Sequence, residues 1–115
     1  MAISEFETKR LERLVSEFID KRRPSPQIRD QLDLGYRLSG QSVVIFEIRP
    51  WWKDKTRKIE EAVAKATYVK SRRLWKVYWQ RADLKWHRYV IAPEVDSMEE
   101  FLALVEADEF CCFFG

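Results

Sequence analysis

The side chains best suited to covalent or acid–base chemistry are few: a single histidine, His87, and two adjacent cysteines, Cys111 and Cys112. Neighbouring cysteines close a disulfide only with strain, and their spacing from His87 matches no zinc pattern. They read as small apolar side chains, with no metal and no cofactor expected. His87, between Tyr78 and Tyr89 in a strand-like run, reads as a hydrogen-bonded surface residue rather than a general base. No serine elbow, phosphate-binding glycine loop, H-E-x-x-H or paired C-x-x-C occurs, and three glycines in all leave no material for a dinucleotide site. One enzymatic arrangement is left as a remote alternative. Asp33 followed by Glu47-Ile48-Arg49 loosely resembles the acid, acid-x-lysine set of metal-dependent nucleases, with arginine in the lysine's place. A hairpin register pairing Tyr36 with Ile45 sends Asp33 and Glu47 to opposite faces, so the two cannot share a metal. Glu47 then pairs with Arg88 or Arg49, because a buried lone carboxylate is costly.

Binding chemistry is better represented. The net charge of +2 conceals a segregation. Residues 1–48 carry eight basic and eight acidic side chains, residues 49–89 thirteen and four, and residues 90–115 none and seven. Aromatic rings are interleaved with the basic block. Trp51, Trp52, Lys53, Arg57, Arg72, Arg73, Lys76, Tyr78, Lys85, His87 and Tyr89 are therefore the candidates for holding nucleic acid or another anionic partner such as an acidic protein. Two bland readings stand beside this one. The acidic tail can fold back and neutralise the basic block, within one molecule or across a dimer. Trp51 and Trp52 can close the end of a sheet instead of clamping a base.

These residues need elements to place them. The stretch Leu74–Tyr89 reads as a β-hairpin, Trp75, Val77 and Trp79 alternating with Lys76, Tyr78 and Gln80. Setting Trp79 opposite Trp86 puts Val77 opposite Arg88 and Trp75 opposite Val90. One face is then a wall of tryptophan, the other a surface of Lys76, Tyr78, Gln80, Lys85, His87 and Tyr89. Upstream, Ser4 and Glu7 form a capping box before a helix with Phe6, Leu11, Leu14, Val15 and Phe18 as its apolar side. It runs to about Lys21, ahead of Pro24 and Pro26. Leu32 to Leu38 alternate as a first strand, Ser39–Ser42 turn, and Val43–Ile48 form a central strand ended by Pro50. Residues 51–58 read as a charged connection headed by two tryptophans, and Val63 to Val69 as a strand. After Pro93, Asp96 or Ser97 caps a second helix with Met98, Phe101, Leu102 and Val105 buried. The apolar end Phe110–Gly115 must dock on its own core or on a second copy.

Glu47-Ile48-Arg49-Pro50-Trp51-Trp52, Trp75-Lys76-Val77-Tyr78-Trp79-Gln80-Arg81, Trp86-His87-Arg88-Tyr89 and Phe113-Phe114-Gly115 carry the patterns E-x-R-P-x-W, W-x-x-Y-W-x-R, W-H-x-Y and F-F-G. In that order they resemble, over nearly the whole chain, a family of small bacterial proteins catalogued only as a domain of unknown function. The resemblance implies a stand-alone cytoplasmic domain and supplies no activity, cofactor or catalytic residue. The family often has a glycine near the place of Cys111 and a proline before the Ala-Lys-x-x-Tyr strand. Both are missing here, which leaves the cysteines without a family-level role.

The expectation is one α+β domain over residues 1–115: a five-stranded, mainly antiparallel meander between an amino-terminal and a carboxy-terminal helix. No apolar run approaches the ~20 residues of a membrane span, and the acidic start is unlike a signal peptide. A cytoplasmic, non-enzymatic binding module follows, with a protein-interaction or homodimeric structural module as the alternative.

Overall fold

The computed structural model describes residues 4–109 and 112–114. Helix α1 spans Glu5–Arg22. Ser4 caps it, its Oγ accepting from the Glu7 amide at 3.1 Å. Leu11, Val15 and Ile19 recur every four residues and are buried, as one stripe of a 3.6-residue helix must be. Phe6 does not join them and is 79 % exposed. It lies about 140° around the helix from Leu11 at ~100° per residue, so Ile19 takes the place expected of it. The helix stops before Pro24. Arg23 then ties its end to the first strand through two 2.8 Å bonds to Asp33.

The strands are β1 (Asp33–Ser39), β2 (Ser42–Trp51), β3 (Asp54–Val69), β4 (Leu74–Gln80) and β5 (Trp86–Arg88), paired antiparallel in that order. A sixth, β6 (Glu94–Val95), adds to β4 at Trp75↔Val95 and Lys76↔Glu94. The five-stranded meander of an α+β fold is therefore present, extended by one short strand that the sequence did not announce. Helix α2 spans Met98–Ala107. Its cap is reciprocal: Ser97 Oγ accepts from the Glu100 amide and Glu100 Oε2 from the Asp96 amide.

Two expectations about the middle of the chain are corrected. Pro50 does not end β2 but pairs with Lys58, and the stretch 51–58 belongs to a hairpin rather than a connection. Pro50 is tolerated because the last β1 pairing is Asp33↔Ile48, so one side of β2 has no neighbouring strand to donate to there. Within β3 the register slips between Ile45 and Phe46, which leaves Val63 as an extra residue. Val63 and Ala64 are accordingly both buried.

Both helices cover the same face of the sheet. Leu11, Val15 and Ile19 of α1 and Met98, Phe101 and Val105 of α2 join Val43, Ile45, Ala64, Ala66, Trp75 and Val77 in one core. The small Ala64 and Ala66 let the helices approach closely. Of the carboxy-terminal residues, Phe113 docks on this same core, 4 % exposed. Asp108, in the left-handed conformation at φ 39°, accepts from the amides of Phe113 and Phe114 at 2.9 Å each. Arg22 lies over the Phe114 ring at 4.1 Å. Cys112 is partly buried beside the core, while Cys111 lies outside the described residues.

Candidate nucleic-acid interface

Because side chains alternate across a pleated strand, the face turned from the helices is given by the register. It carries Arg37, Val44, Phe46, Lys65, Lys76, Tyr78, Trp86 and Arg88. Its centre is Lys65, whose Nζ stands 4.8 Å from the Trp86 ring centroid and 4.9 Å from that of Tyr78. Burial between the rings pushes the Lys65 ammonium below its ordinary range. A cation held between two aromatic faces is attracted by both ring quadrupoles. Nearer β1, Arg37 covers the Phe46 ring at 4.7 Å and pairs with Glu60. Gly35 sits directly beneath that ring. A Cβ there would lie 2.7 Å from Phe46 Cε1.

The register of the β4–β5 hairpin differs from the expected one by a single residue. Tyr78 opposes Arg88, Trp79 opposes His87 and Gln80 opposes Trp86. A one-residue slip exchanges the faces of every side chain. Trp86 consequently leaves the tryptophan wall for the open face, whereas His87 and Tyr89 turn the other way. Tyr89 is 2 % exposed and packs on Phe113 at 4.8 Å between ring centroids. Burial raises its phenol pKa, and it is no candidate for binding. His87 sits beside Trp79, its Nε2 2.9 Å from Asp83 Oδ2, which is the hydrogen-bonded role expected of it. The Lys85 amide and then His87 hold the Asp83 carboxyl below the usual range.

A second group of the expected residues lies at the far end of the β2–β3 hairpin. Trp51 is half-buried, whereas Trp52 is 77 % exposed. Lys53 approaches the Trp52 ring at 5.1 Å and the Trp51 ring at 5.8 Å. Closure of the sheet end thus accounts for Trp51 in part and for Trp52 not at all. Arg57 stays solvated, 3.7 Å from Asp54. The remaining candidates are dispersed. Arg72 is bound to Glu94 at 2.7 and 3.2 Å, Arg73 occupies a turn at φ 53°, and Lys85 occupies the β4–β5 turn. Lys76 and Tyr78 are the expected residues that the open face does gather. Sequence reasoning passed over Phe46, Lys65, Trp86 and Arg88. The signal for Lys65 was available in its alternation with Ala64 and Ala66, whose small side chains suit a helix-covered face.

Within one molecule the acidic tail neutralises little of the basic block. Glu99 pairs with Arg10 at 2.6 Å and Glu106 with Arg22 at 3.1 Å, both on α1 and both on the helical side. Only the Glu94–Arg72 pair joins the acidic tail to the basic block among the ion pairs of the described residues.

The nuclease arrangement also fails geometrically. Leu34 opposes Glu47 and Asp33 opposes Ile48, which puts the two carboxylates on opposite faces. Glu47 is 8 % exposed and accepts from Arg49 at 3.2 and 3.3 Å. Among the described residues no three His, Cys, Asp or Glu side chains come together as a metal site, and no helix is long and apolar enough to cross a membrane.

Comparison with protein families matches residues 3–115 to the family described as Domain of unknown function (DUF3024). The chain belongs to that family. Comparisons with curated proteins and with solved structures return no match.

Proposed function

We propose that this member of the DUF3024 family is a non-enzymatic module that binds single-stranded nucleic acid on the open face of its sheet. The observation that carries the reading is the one-sidedness of the fold. Both helices and the acidic residues of α2 lie on one face, and the other presents Tyr78 and Trp86 among Arg37, Lys65, Lys76 and Arg88, with Phe46 buried beneath Arg37. Bases stack on such rings for about 1–3 kcal/mol each without regard to sequence, and the cations meet the phosphates. Lys65 already lies against Tyr78 and Trp86, so a phosphate need only draw its ammonium aside to open a ring for stacking.

The test is fluorescence anisotropy of a labelled mixed-sequence single strand at about 50 and about 200 mM salt. Micromolar binding that weakens steeply with salt, with a logarithmic slope of about −0.7 per phosphate contacted, is the expected result. Tyr78→Ala and Trp86→Ala each weaken it about tenfold, in line with the loss of one stacked base. Phe6→Ala, on the helical side, leaves it unchanged. Absence of binding at the lower salt, or binding indifferent to salt, overturns the reading.

A further inference from the structure

The β2–β3 hairpin outruns the sheet. β1 pairs with β2 only as far as Ile48, and β4 pairs with β3 only from Ala64 onward. Beyond the Ile48↔Glu60 pair the two strands have only each other as strand partners, and the molecule is drawn out to 44 Å along one axis against 29 and 24 Å along the others. This arm carries Lys53, Lys55, Arg57 and Lys58, with Asp54 as its single carboxylate between residues 53 and 58. Asp54 is engaged locally: its Oδ1 accepts from the Thr56 amide at 3.0 Å and the Thr56 hydroxyl at 2.6 Å. Its Oδ2 lies 3.7 Å from Arg57 and Asp30 lies 3.7 Å from Lys58, both solvent-exposed pairs, while Lys53 and Lys55 are in none of the ion pairs of the described residues. At the tip stands Trp52, 77 % exposed and the largest aromatic surface left in water among the described residues.

We propose that this arm enters the major groove of a B-form DNA duplex, so that the target of the protein is a junction where duplex DNA opens into a single strand. The junction rests on the single-strand reading above, while the arm is a separate surface. A two-stranded ribbon with side chains on both faces fits a groove about 12 Å wide. Cations on the arm lie within reach of the phosphates on the groove walls, and Trp52 offers an apolar face to base edges, where the thymine methyl is the apolar partner. The major groove of A-form RNA is too narrow for such a ribbon. Along the strand, Trp52 is eight residues beyond Val44, which pairs with Lys65. At ~3.3 Å per residue the tip is therefore about 26 Å from the centre of the open face. One nucleic acid can meet both surfaces without either displacing the other.

The experiment compares three labelled probes with the full chain: a DNA single strand, the same strand extending from a DNA duplex, and the same strand extending from an RNA duplex. The DNA-tailed probe binds about tenfold more tightly than the single strand, and the RNA-tailed probe shows no such gain. Trp52→Ala and the pair Lys55→Ala with Arg57→Ala abolish the gain and leave single-strand affinity and melting temperature unchanged. Equal affinity for the single strand and the DNA-tailed probe overturns the inference. So does an equal gain from the RNA duplex, or arm variants that weaken single-strand and tailed binding by the same factor. Loss of single-strand binding by the unaltered chain is a different failure: it removes the open-face reading, and the junction with it.

Discussion

The two faces of the sheet use the same residue types for opposite ends. On the helical face, arginines of α1 meet carboxylates of α2 at 2.6 and 3.1 Å, and the aromatic rings Trp75, Tyr89, Phe101 and Phe113 are buried. On the open face, Lys65 meets rings in place of a carboxylate, and Tyr78 and Trp86 keep part of their surface in water. Charge is consumed by ion pairing on the first face; on the second, Arg37 is paired with Glu60 while Lys65 is left to the rings. Positive charge alone is therefore a poor guide to a binding surface, and what the charge is paired with separates the two.

The sharpest way to break this contrast is to truncate one large ring on each face. Phe101→Ala, at a fully buried position, costs about 3–5 kcal/mol in denaturant unfolding. Trp86→Ala costs less, about 1–2 kcal/mol by the same measurement, since Trp86 is only partly buried and its removal opens to solvent instead of leaving an enclosed cavity. Equal losses would mean that the open face is a second core.

Gly35→Ala probes the floor of the open face. The new methyl meets Phe46 Cε1 at 2.7 Å and Cζ at 2.9 Å and must push the ring outward, with Arg37 on it. A loss of about 1–3 kcal/mol is expected, as for an overpacked site, read from the shift in the denaturant midpoint. A neutral Gly35→Ala would show that the ring is free to move.

The anchoring of the helical layer has a pH signature. Hydrogen bonding to Arg23, foremost, holds the Asp33 carboxyl below its ordinary range, aided by the Leu34 amide. Its folded pKa is thus lower than its unfolded one of about 3.9. The resulting stabilisation is complete above the unfolded value and is lost as pH falls through the folded one. Asp33→Asn accordingly flattens the melting temperature below about pH 4, measured by circular dichroism from pH 2 to 7. An unchanged acid limb would place the sensitivity elsewhere. The smallest effect is expected at the seam between the acidic tail and the basic block. Glu94→Gln releases Arg72 and strengthens single-strand binding less than about threefold, an effect that salt erases, because exposed pairs contribute ~0–1 kcal/mol.

Much of this architecture is legible in residue order, for identifiable reasons. Helix α2 is announced by Ser97, Glu100 and the spacing of Met98, Phe101, Leu102 and Val105, where capping and burial agree. The β1–β2 register follows from Gly40 in its turn, with φ 59°, and that register alone separates Asp33 from Glu47. The β4–β5 register was hidden because its turn is closed by Leu84 in the left-handed conformation, φ 62°. Glycine or asparagine would have advertised a loop of that length, and leucine does not. That one backbone angle decides whether Trp86 or His87 faces outward, so the candidate site was less legible than the fold. The arm was missed for a different reason. With neither of its faces covered, residues 53–58 have no apolar alternation to display, and the period of two that reveals a strand requires something to be buried against.

Asp108 and Phe113 set the timing of the protein's birth. Domains fold as units while they are being synthesised, but here the core is completed by Phe113, which follows every strand and both helices in chain order, docked against Tyr89 and clamped by Asp108. While residue 113 is still inside the ribosomal tunnel, α1 and the sheet wait with part of their apolar surface uncovered. A ribosome paused before residue 113 clears the tunnel would hold an unfinished core in the open.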